Sequence, residues 1–80
     1  MEKTVFSLDR LQEGQSAEVA SLRLGGSIRR RLQDLGLTEG TKVTCCRIGP
    51  RGSPLACYFR STLIALRRED AAGVLLRSFE

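Results

Sequence analysis

Apolar residues spaced for one face of a helix stand in the first half of the chain. Ile28, Leu32 and Leu35 recur at intervals of four and three residues, which predicts a short helix. Ser27 precedes them as a capping residue, and Gly36 follows where a helix commonly ends in the left-handed conformation. The pattern therefore predicts both the start and the end of this helix.

Alternating apolar and polar residues predict five strands around the helix. In the first strand Val19 and Ser21 are expected on one face, and in the last strand Phe79 is expected opposite Leu76. Gly73 separates the last strand from one predicted helical turn. The predicted strands cover residues 15–22, 43–48, 55–60, 63–66 and 74–79.

Short antiparallel strands in so small a chain need covered edges, and curling into a partly closed barrel provides them. The sequence therefore predicts a mainly β fold, a small SH3-like β-barrel of about five strands. One short helix over 28–35 is inserted, and a helical turn over 68–72 precedes the last strand. Residues 1–80 are expected to form a single domain. A domain of this size buries only about 60 to 65% of its unfolded surface, and a homo-oligomer would add burial.

Composition and hydropathy predict a cytoplasmic globular protein. Of the 80 residues, 41% are hydrophobic and 28% are charged, as in ordinary globular domains. The longest apolar run, residues 63–66, is far shorter than the roughly 20 residues that cross a bilayer. The first residues lack the apolar core of a signal peptide.

Positive charge is concentrated in the central part of the chain. The net charge is +4, and residues 25–60 hold seven basic and two acidic side chains, a surplus of +5. Such a field can steer an acidic protein surface, anionic lipid head groups or nucleic acid, and its sign alone does not choose among them. The arginine run 29–31 fits a solvated helix face as well as a binding surface.

Three cysteines raise the question of a metal or redox site. Cys45 and Cys46 are neighbours on a predicted strand, so their side chains point to opposite faces. The chain has no histidine and no Cys-x-x-Cys motif, and it has an odd number of cysteines. We therefore expect no metal site and no cofactor, and we interpret Cys45 and Cys57 as small hydrophobic residues of the core.

An enzyme is the least favoured functional class, so no catalytic residues are predicted. No histidine is available to act near neutral pH, and no glycine-rich phosphate loop opens a helix. Glu69 and Asp70 suit the first turn of a helix, where acidic side chains interact favourably with the helix dipole.

A small basic barrel that binds RNA or another nucleic acid is the alternative function. Only Tyr58 and Phe59 supply aromatic rings in the basic region. As neighbours on a strand they face opposite sides, so they form no stacking platform for bases. No nucleic-acid partner is therefore expected.

The order of motifs along the chain resembles the FeoA family. That family has an arginine- and leucine-rich helix ending in a Leu-Gly-hydrophobic turn, then a glycine and a strand, a Pro-x-Gly-x-Pro loop, and a hydrophobic-Ala-Leu-Arg segment. Here these are residues 31–37, Gly40, residues 50–54 and residues 64–67, and the resemblance extends over roughly 5–79. One departure is Ser53, where many relatives carry an acidic residue.

The resemblance implies an SH3-like fold and a non-enzymatic accessory role in bacterial ferrous-iron uptake. FeoA-like proteins are thought to contact the cytosolic, nucleotide-binding part of the FeoB transporter. The expected partner is therefore a FeoB-type transporter, and the expected location is the cytoplasm, with membrane contact only through that partner.

The predicted partner surface combines the helix and the proline loop. Positive charge lies there, and two prolines stiffen the loop and lower the entropy lost on binding. Leu37 is expected as the anchor if it is exposed, although periodic apolar residues mostly pack inside, which favours a core position for Leu37, as for Ile48, Leu55 and Tyr58. The predicted contact residues are Arg29, Arg30, Leu37, Pro50, Arg51, Gly52 and Pro54.

Overall fold

Within residues 4–78 the fold has six strands and two α-helices. The structure is a computed structural model and describes residues 4–78. A short 3₁₀ turn covers Leu8–Arg10, and a tight turn with non-helical backbone at Arg51 covers Pro50–Gly52. The strands are β1 (Val5–Ser7), β2 (Ser16–Leu22), β3 (Lys42–Ile48), β4 (Leu55–Phe59), β5 (Thr62–Leu66) and β6 (Val74–Arg77), and the helices are α1 (Gly26–Asp34) and α2 (Arg68–Ala71).

All strands pair antiparallel in one open sheet with the order β1-β6-β2-β3-β4-β5. The prediction of a mainly β, SH3-like fold is confirmed, but the strand count was one too low. The missed strand, β1, has only three residues and is too short for alternation to be visible. It forms by pairing with β6, where Phe6 lies opposite Leu76. Within residues 4–78, β1 and β5 are the two edges of the sheet.

The sheet curls around its own inner face. Side chains from β2 to β6 join one buried core, together with residues of both helices and of the first 3₁₀ turn. A flat sheet could not bring these faces into one cluster. The buried strand residues are Ala17, Val19, Val43, Cys45, Leu55, Cys57, Phe59, Leu66, Val74 and Leu76.

Two details of the strands differ from the predictions. Val19 is buried, but Ser21 is exposed because a bulge shifts the pairing of β2 with β6 between these two residues. The last strand ends at Arg77, and Phe79 lies outside the described residues.

Helix α1 begins earlier than predicted and ends as predicted. Gly25 occupies the N-cap position without a side-chain cap, so the expected capping residue, Ser27, lies inside the helix. Gly36 adopts a φ of 105°, the left-handed conformation expected for the residue after a helix.

The end of α1 is a Schellman motif, and it determines the position of Leu37. The backbone N–H of Leu37 donates to the carbonyl of Leu32 at 2.9 Å, and that of Gly36 donates to Gln33 at 3.0 Å. This turn brings Leu37 back onto the buried side of the helix, where it is 1% exposed. The prediction of Leu37 as a partner anchor is therefore wrong. Leu55 is also buried, whereas Tyr58 is 46% exposed.

Leu32→Ala should destabilise the domain much more than Leu35→Ala does. Leu32 is 1% exposed in the core and Leu35 is 37% exposed on the same helix. We expect Leu32→Ala to lower the free energy of unfolding by about 2 to 5 kcal/mol, and Leu35→Ala by well under half of that. Urea denaturation of both variants measures the difference. Equal losses would contradict the orientation of α1.

Candidate partner-binding surface

The proline loop is a closed turn that displays Arg51. The N–H of Gly52 donates to the carbonyl of Gly49 at 3.0 Å, and the N–H of Gly49 donates to the carbonyl of Pro54 at 2.9 Å. Arg51 has a φ of 62°, a left-handed conformation that is uncommon for residues other than glycine. Its side chain is exposed, as are both prolines.

Gly52 and Ser53 attach this loop to α2. The backbone N–H of Arg68, at the start of α2, donates to Ser53 Oγ at 3.2 Å. A Cβ atom on Gly52 would lie 3.6 Å from Arg68 Cδ. Ser53 therefore satisfies one of the free N–H groups that every helix start leaves, and this gives the residue a structural role.

Arg29 and Arg30 are exposed on α1 and line an open hollow of about 550 Å³ at its start. Among residues 4–78, neither arginine forms an ion pair. The first turn of α1 contains no acidic residue. The positive N-terminal end of the helix dipole therefore adds to the charge of the arginines. This end of the helix favours negatively charged partners.

A narrower groove lies between α1 and β5. Its volume is about 170 Å³, and Arg67 Nε lies 3.5 Å from Asp70 Oδ2 at its α2 end. Sequence reasoning missed this groove, although Arg31 and Leu35 share one helix face with Ile28. The lining residues are Ile28, Arg31, Leu32, Leu35, Ile64, Ala65, Leu66, Arg67 and Asp70.

Not all of the predicted contact residues lie on the surface. Arg29, Arg30, Pro50, Arg51 and Pro54 are exposed, and Leu37 lies in the core. Gly52 is half-buried against Arg68. Helix α2 lies between the proline loop and the groove beside α1. Arg68 contacts the loop, and Asp70 lines the groove.

Two of the three cysteines occupy the core positions expected of them. Cys45 and Cys57 are buried and face each other across β3 and β4, whereas Cys46 is exposed at a bulge. Burial, with a smaller contribution from Cys45, raises the pKa of Cys57 to about 12. Burial and the nearby Glu13 also raise the pKa of Cys45. Over residues 4–78, no three histidine, cysteine or carboxylate side chains converge to hold a metal ion.

The two aromatic residues of β4 face opposite sides of the sheet, as predicted. Phe59 is 1% exposed in the core, and Tyr58 lies on the outer face. Lys42 and Arg60 line a hollow beside Tyr58, but Phe59 contributes no exposed ring for a second base. This arrangement does not favour the stacking mode that single-stranded RNA requires.

Residues 6–78 match the model of the FeoA domain. The chain belongs to the FeoA family. The solution structure of FeoA from Chlorobium tepidum is 35% identical in sequence and superposes with a TM-score of 0.87, over 94% of this chain and 71% of that one. A crystal structure of FeoA from Stenotrophomonas maltophilia, described as an SH3 domain protein complexed with zinc, is also 35% identical. It has a TM-score of 0.79 and covers 89% of this chain and 88% of that one.

A longer relative joins this domain to a transporter. It is an Fe(2+) transport protein A/Fe(2+) transporter FeoB fusion protein of Porphyromonas gingivalis, 28% identical over 67 residues. Those residues are 84% of this chain and 8% of the fusion protein. The FeoA domain is thereby associated with ferrous-iron transport. In residues 4–78 no helix has the length and apolar character that would let it cross a membrane.

Thiol labelling should distinguish Cys46 from the two buried cysteines. Because a thiolate is the reactive form, Cys57, with its raised pKa, should react with iodoacetamide at pH 8 only when the protein unfolds. We expect one modified cysteine per native chain, and mass spectrometry of Cys46→Ser should show almost none. Rapid modification of Cys45 or Cys57 in the native state would contradict their burial.

The same pKa shifts predict loss of stability at high pH. In the unfolded chain Cys57 ionises near its ordinary value of 9, whereas in the folded state it stays protonated to about pH 12. The unfolded state therefore binds fewer protons between these values, so the free energy of unfolding falls as pH rises through this range. Cys57→Ala should reduce that slope, as measured by urea denaturation from pH 8 to pH 10.5.

Proposed function

We propose that this FeoA domain is a non-enzymatic accessory module of ferrous-iron uptake that binds the cytosolic part of a FeoB-type transporter. It would act in the cytoplasm and reach the inner face of the membrane only through that partner. The observation that carries the proposal is the Porphyromonas gingivalis relative, in which the same domain and the transporter form one polypeptide.

A covalent fusion supports binding between the joined parts for a physical reason. Linking two modules keeps them at a high effective concentration, which can reach the millimolar range for short flexible linkers. Such a link benefits proteins that act together at one place. The relative therefore supports the transporter as the partner of this domain, although only 8% of that protein is matched here.

The surface of the domain suits attraction of an acidic partner. Arg29, Arg30 and Arg51 are exposed and form no ion pair within residues 4–78. Unpaired surface arginines raise the rate of association with a negatively charged surface more than they raise affinity itself. The hydrogen-bonded turn determines the backbone position from which the Arg51 side chain extends. The proposed contact surface therefore includes the α1 hollow and the proline loop.

Protein binding accounts for the cavities better than catalysis does. The groove between α1 and β5 is smaller than the roughly 300 to 1,000 Å³ of ordinary small-molecule sites. The larger hollow at the start of α1 is open, and its lining is glycine, arginine and polar residues with one apolar residue, Leu24. The zinc reported with the Stenotrophomonas relative has no corresponding set of three ligands within residues 4–78. We therefore propose a mechanism that does not depend on a bound metal.

Arg51→Glu should slow association with the cytosolic domain of a FeoB-type transporter. We expect an association rate at least about threefold lower and a weaker dependence on salt, because a steering charge has been reversed. Surface plasmon resonance at several salt concentrations measures both effects. Circular dichroism should show that the variant is folded.

Arg10→Glu is the matched control, because it makes the same change in net charge at an exposed position in the first 3₁₀ turn. Equal slowing by both variants would show that only net charge matters and that the loop is not the contact. Absence of binding by the unmodified domain would contradict the proposed partner. Tight binding to single-stranded RNA with a steep salt dependence would support the alternative function instead.

A further inference from the structure

Strand β5 lies at an edge of the sheet, and the turn before it determines which of its backbone groups point away from β4. Arg60 and Ser61 have φ values of 48° and 62°, as in a two-residue type I′ hairpin turn. The flanking pair, Phe59 and Thr62, is then hydrogen-bonded, and hydrogen-bonded pairs alternate along the strands. The backbone N–H and C=O groups of Leu63 and Ala65 therefore point away from β4.

The residues that carry these outward groups are exposed. Within residues 4–78, β5 pairs with β4 alone. Leu63 is 63% exposed, and Ala65 is exposed as well. The opposite edge of the sheet, β1, has only three residues, so β5 is the longer of the two open edges. An open strand edge of this kind is a template for pairing with another chain.

The groove described above lies beside this edge. Ile64 and Ala65 of β5 form one wall, and Arg31 and Leu35 of α1 form the other. Its volume of about 170 Å³ equals roughly six water molecules in the liquid, enough for a large side chain. It is too small for an α-helix, which has a diameter of about 10 Å. A strand edge beside a side-chain groove is the arrangement used for extended peptides that add a strand to a sheet.

Within residues 4–78, unpaired positive charge lies at the turn end of this edge and across the groove. Arg60 lies at the turn, where its Cδ would be 2.8 Å from a Cβ on Gly36 at the end of α1, and Arg31 lies across the groove. At the other end of the strand Arg67 and Arg68 are followed by Glu69 and Asp70. The single acidic residue of the groove, Asp70, is already paired with Arg67.

We propose that β5 binds an extended segment of the partner as an additional strand, with an apolar side chain of that segment in the groove and carboxylate side chains facing the surrounding arginines. This inference rests on the proposed function, because it assigns the docking mode and the chemistry of the transporter segment. The backbone groups of Leu63 and Ala65 supply the hydrogen bonds, and Arg31 and Arg60 select acidic residues.

A second copy of this chain is a poorer occupant of the same edge. If two β5 strands paired antiparallel about Ile64, Arg60 in the turn of one copy would come near Arg67 and Arg68 of the other at both ends of the pair. Like charges brought close together in this way oppose the pairing. The strand itself contains no acidic residue that could compensate for them. Charge therefore favours an acidic partner over self-association.

Amide hydrogen exchange of the complete domain, with and without the cytosolic domain of a FeoB-type transporter, tests the proposal directly. In the free domain the amides of Leu63 and Ala65 should exchange rapidly, whereas those of Ile64 and Leu66 are already bonded to β4 and should exchange slowly. Binding should slow exchange at Leu63 and Ala65 by at least about tenfold. Unchanged exchange at both residues in a saturated complex would overturn the proposal.

Leu63→Pro and Leu63→Thr form a matched pair of variants. Proline removes an outward N–H that no bond within the sheet uses, so an edge strand can accept it, and threonine keeps that N–H. We expect Leu63→Pro to bind the transporter domain about tenfold more weakly than Leu63→Thr. Equal affinities of two folded variants would overturn strand addition.

Charge reversal gives a second test if the proline variant does not fold. Arg31→Glu should weaken binding about tenfold, and Arg10→Glu, with the same net charge, should weaken it much less. Equal effects of the two substitutions would overturn the groove as the site.

The outcomes separate this inference from the proposed function. Normal binding without protection of Leu63 and Ala65 would leave the transporter as partner but place the contact elsewhere. Absence of binding by the unmodified domain would remove the proposed function and this inference together. Protection of both amides in the free domain, with a concentration-dependent dimer in sedimentation, would identify a second copy as the occupant and overturn the proposal.

Discussion

The rest of the structure depends on one constraint, which is that a chain of 80 residues must make a core from the inner faces of its own strands. Side chains from β2 to β6 meet in one cluster, and the sheet has to curl for them to do so. In the part of the chain that the structure describes, the sheet is curled but not closed, and β1 and β5 are its two edges. The small core and the open edge of β5 therefore have the same origin.

Helix α1 completes the core and at the same time shapes the outer surface. Leu32 and Leu37 are buried on either side of the Schellman turn, so the helix is held at its end by backbone hydrogen bonds and by packing. Fixing this end places Arg31 and Leu35 beside β5. The stability of α1 and the geometry of the groove are consequently coupled, and a substitution in the core under α1 is expected to change the surface.

The sequence predicted what depends on local pattern. Ile28, Leu32 and Gly36 indicated the helix and its end, and the opposite orientations of Cys45 and Cys46 followed from strand alternation. What it missed depends on residues distant in sequence. Strand β1 exists because it pairs with β6 about 70 positions later, and the groove exists because α1 meets β5. Leu37 was misassigned because exposure at a helix end depends on the path of the following turn.

The arginines near β5 oppose pairing of its edge with a second copy and favour acidic partners. An exposed edge with the sequence Thr-Leu-Ile-Ala-Leu is apolar and would pair readily with other strands. Arg60 on one side and Arg67 and Arg68 on the other oppose pairing with a like-charged copy, which is how natural sheets protect their edges. The same charges do not oppose an acidic strand. An edge flanked by unpaired arginines therefore remains open to partners of the opposite sign, so protection against aggregation and selection of a partner arise from the same side chains.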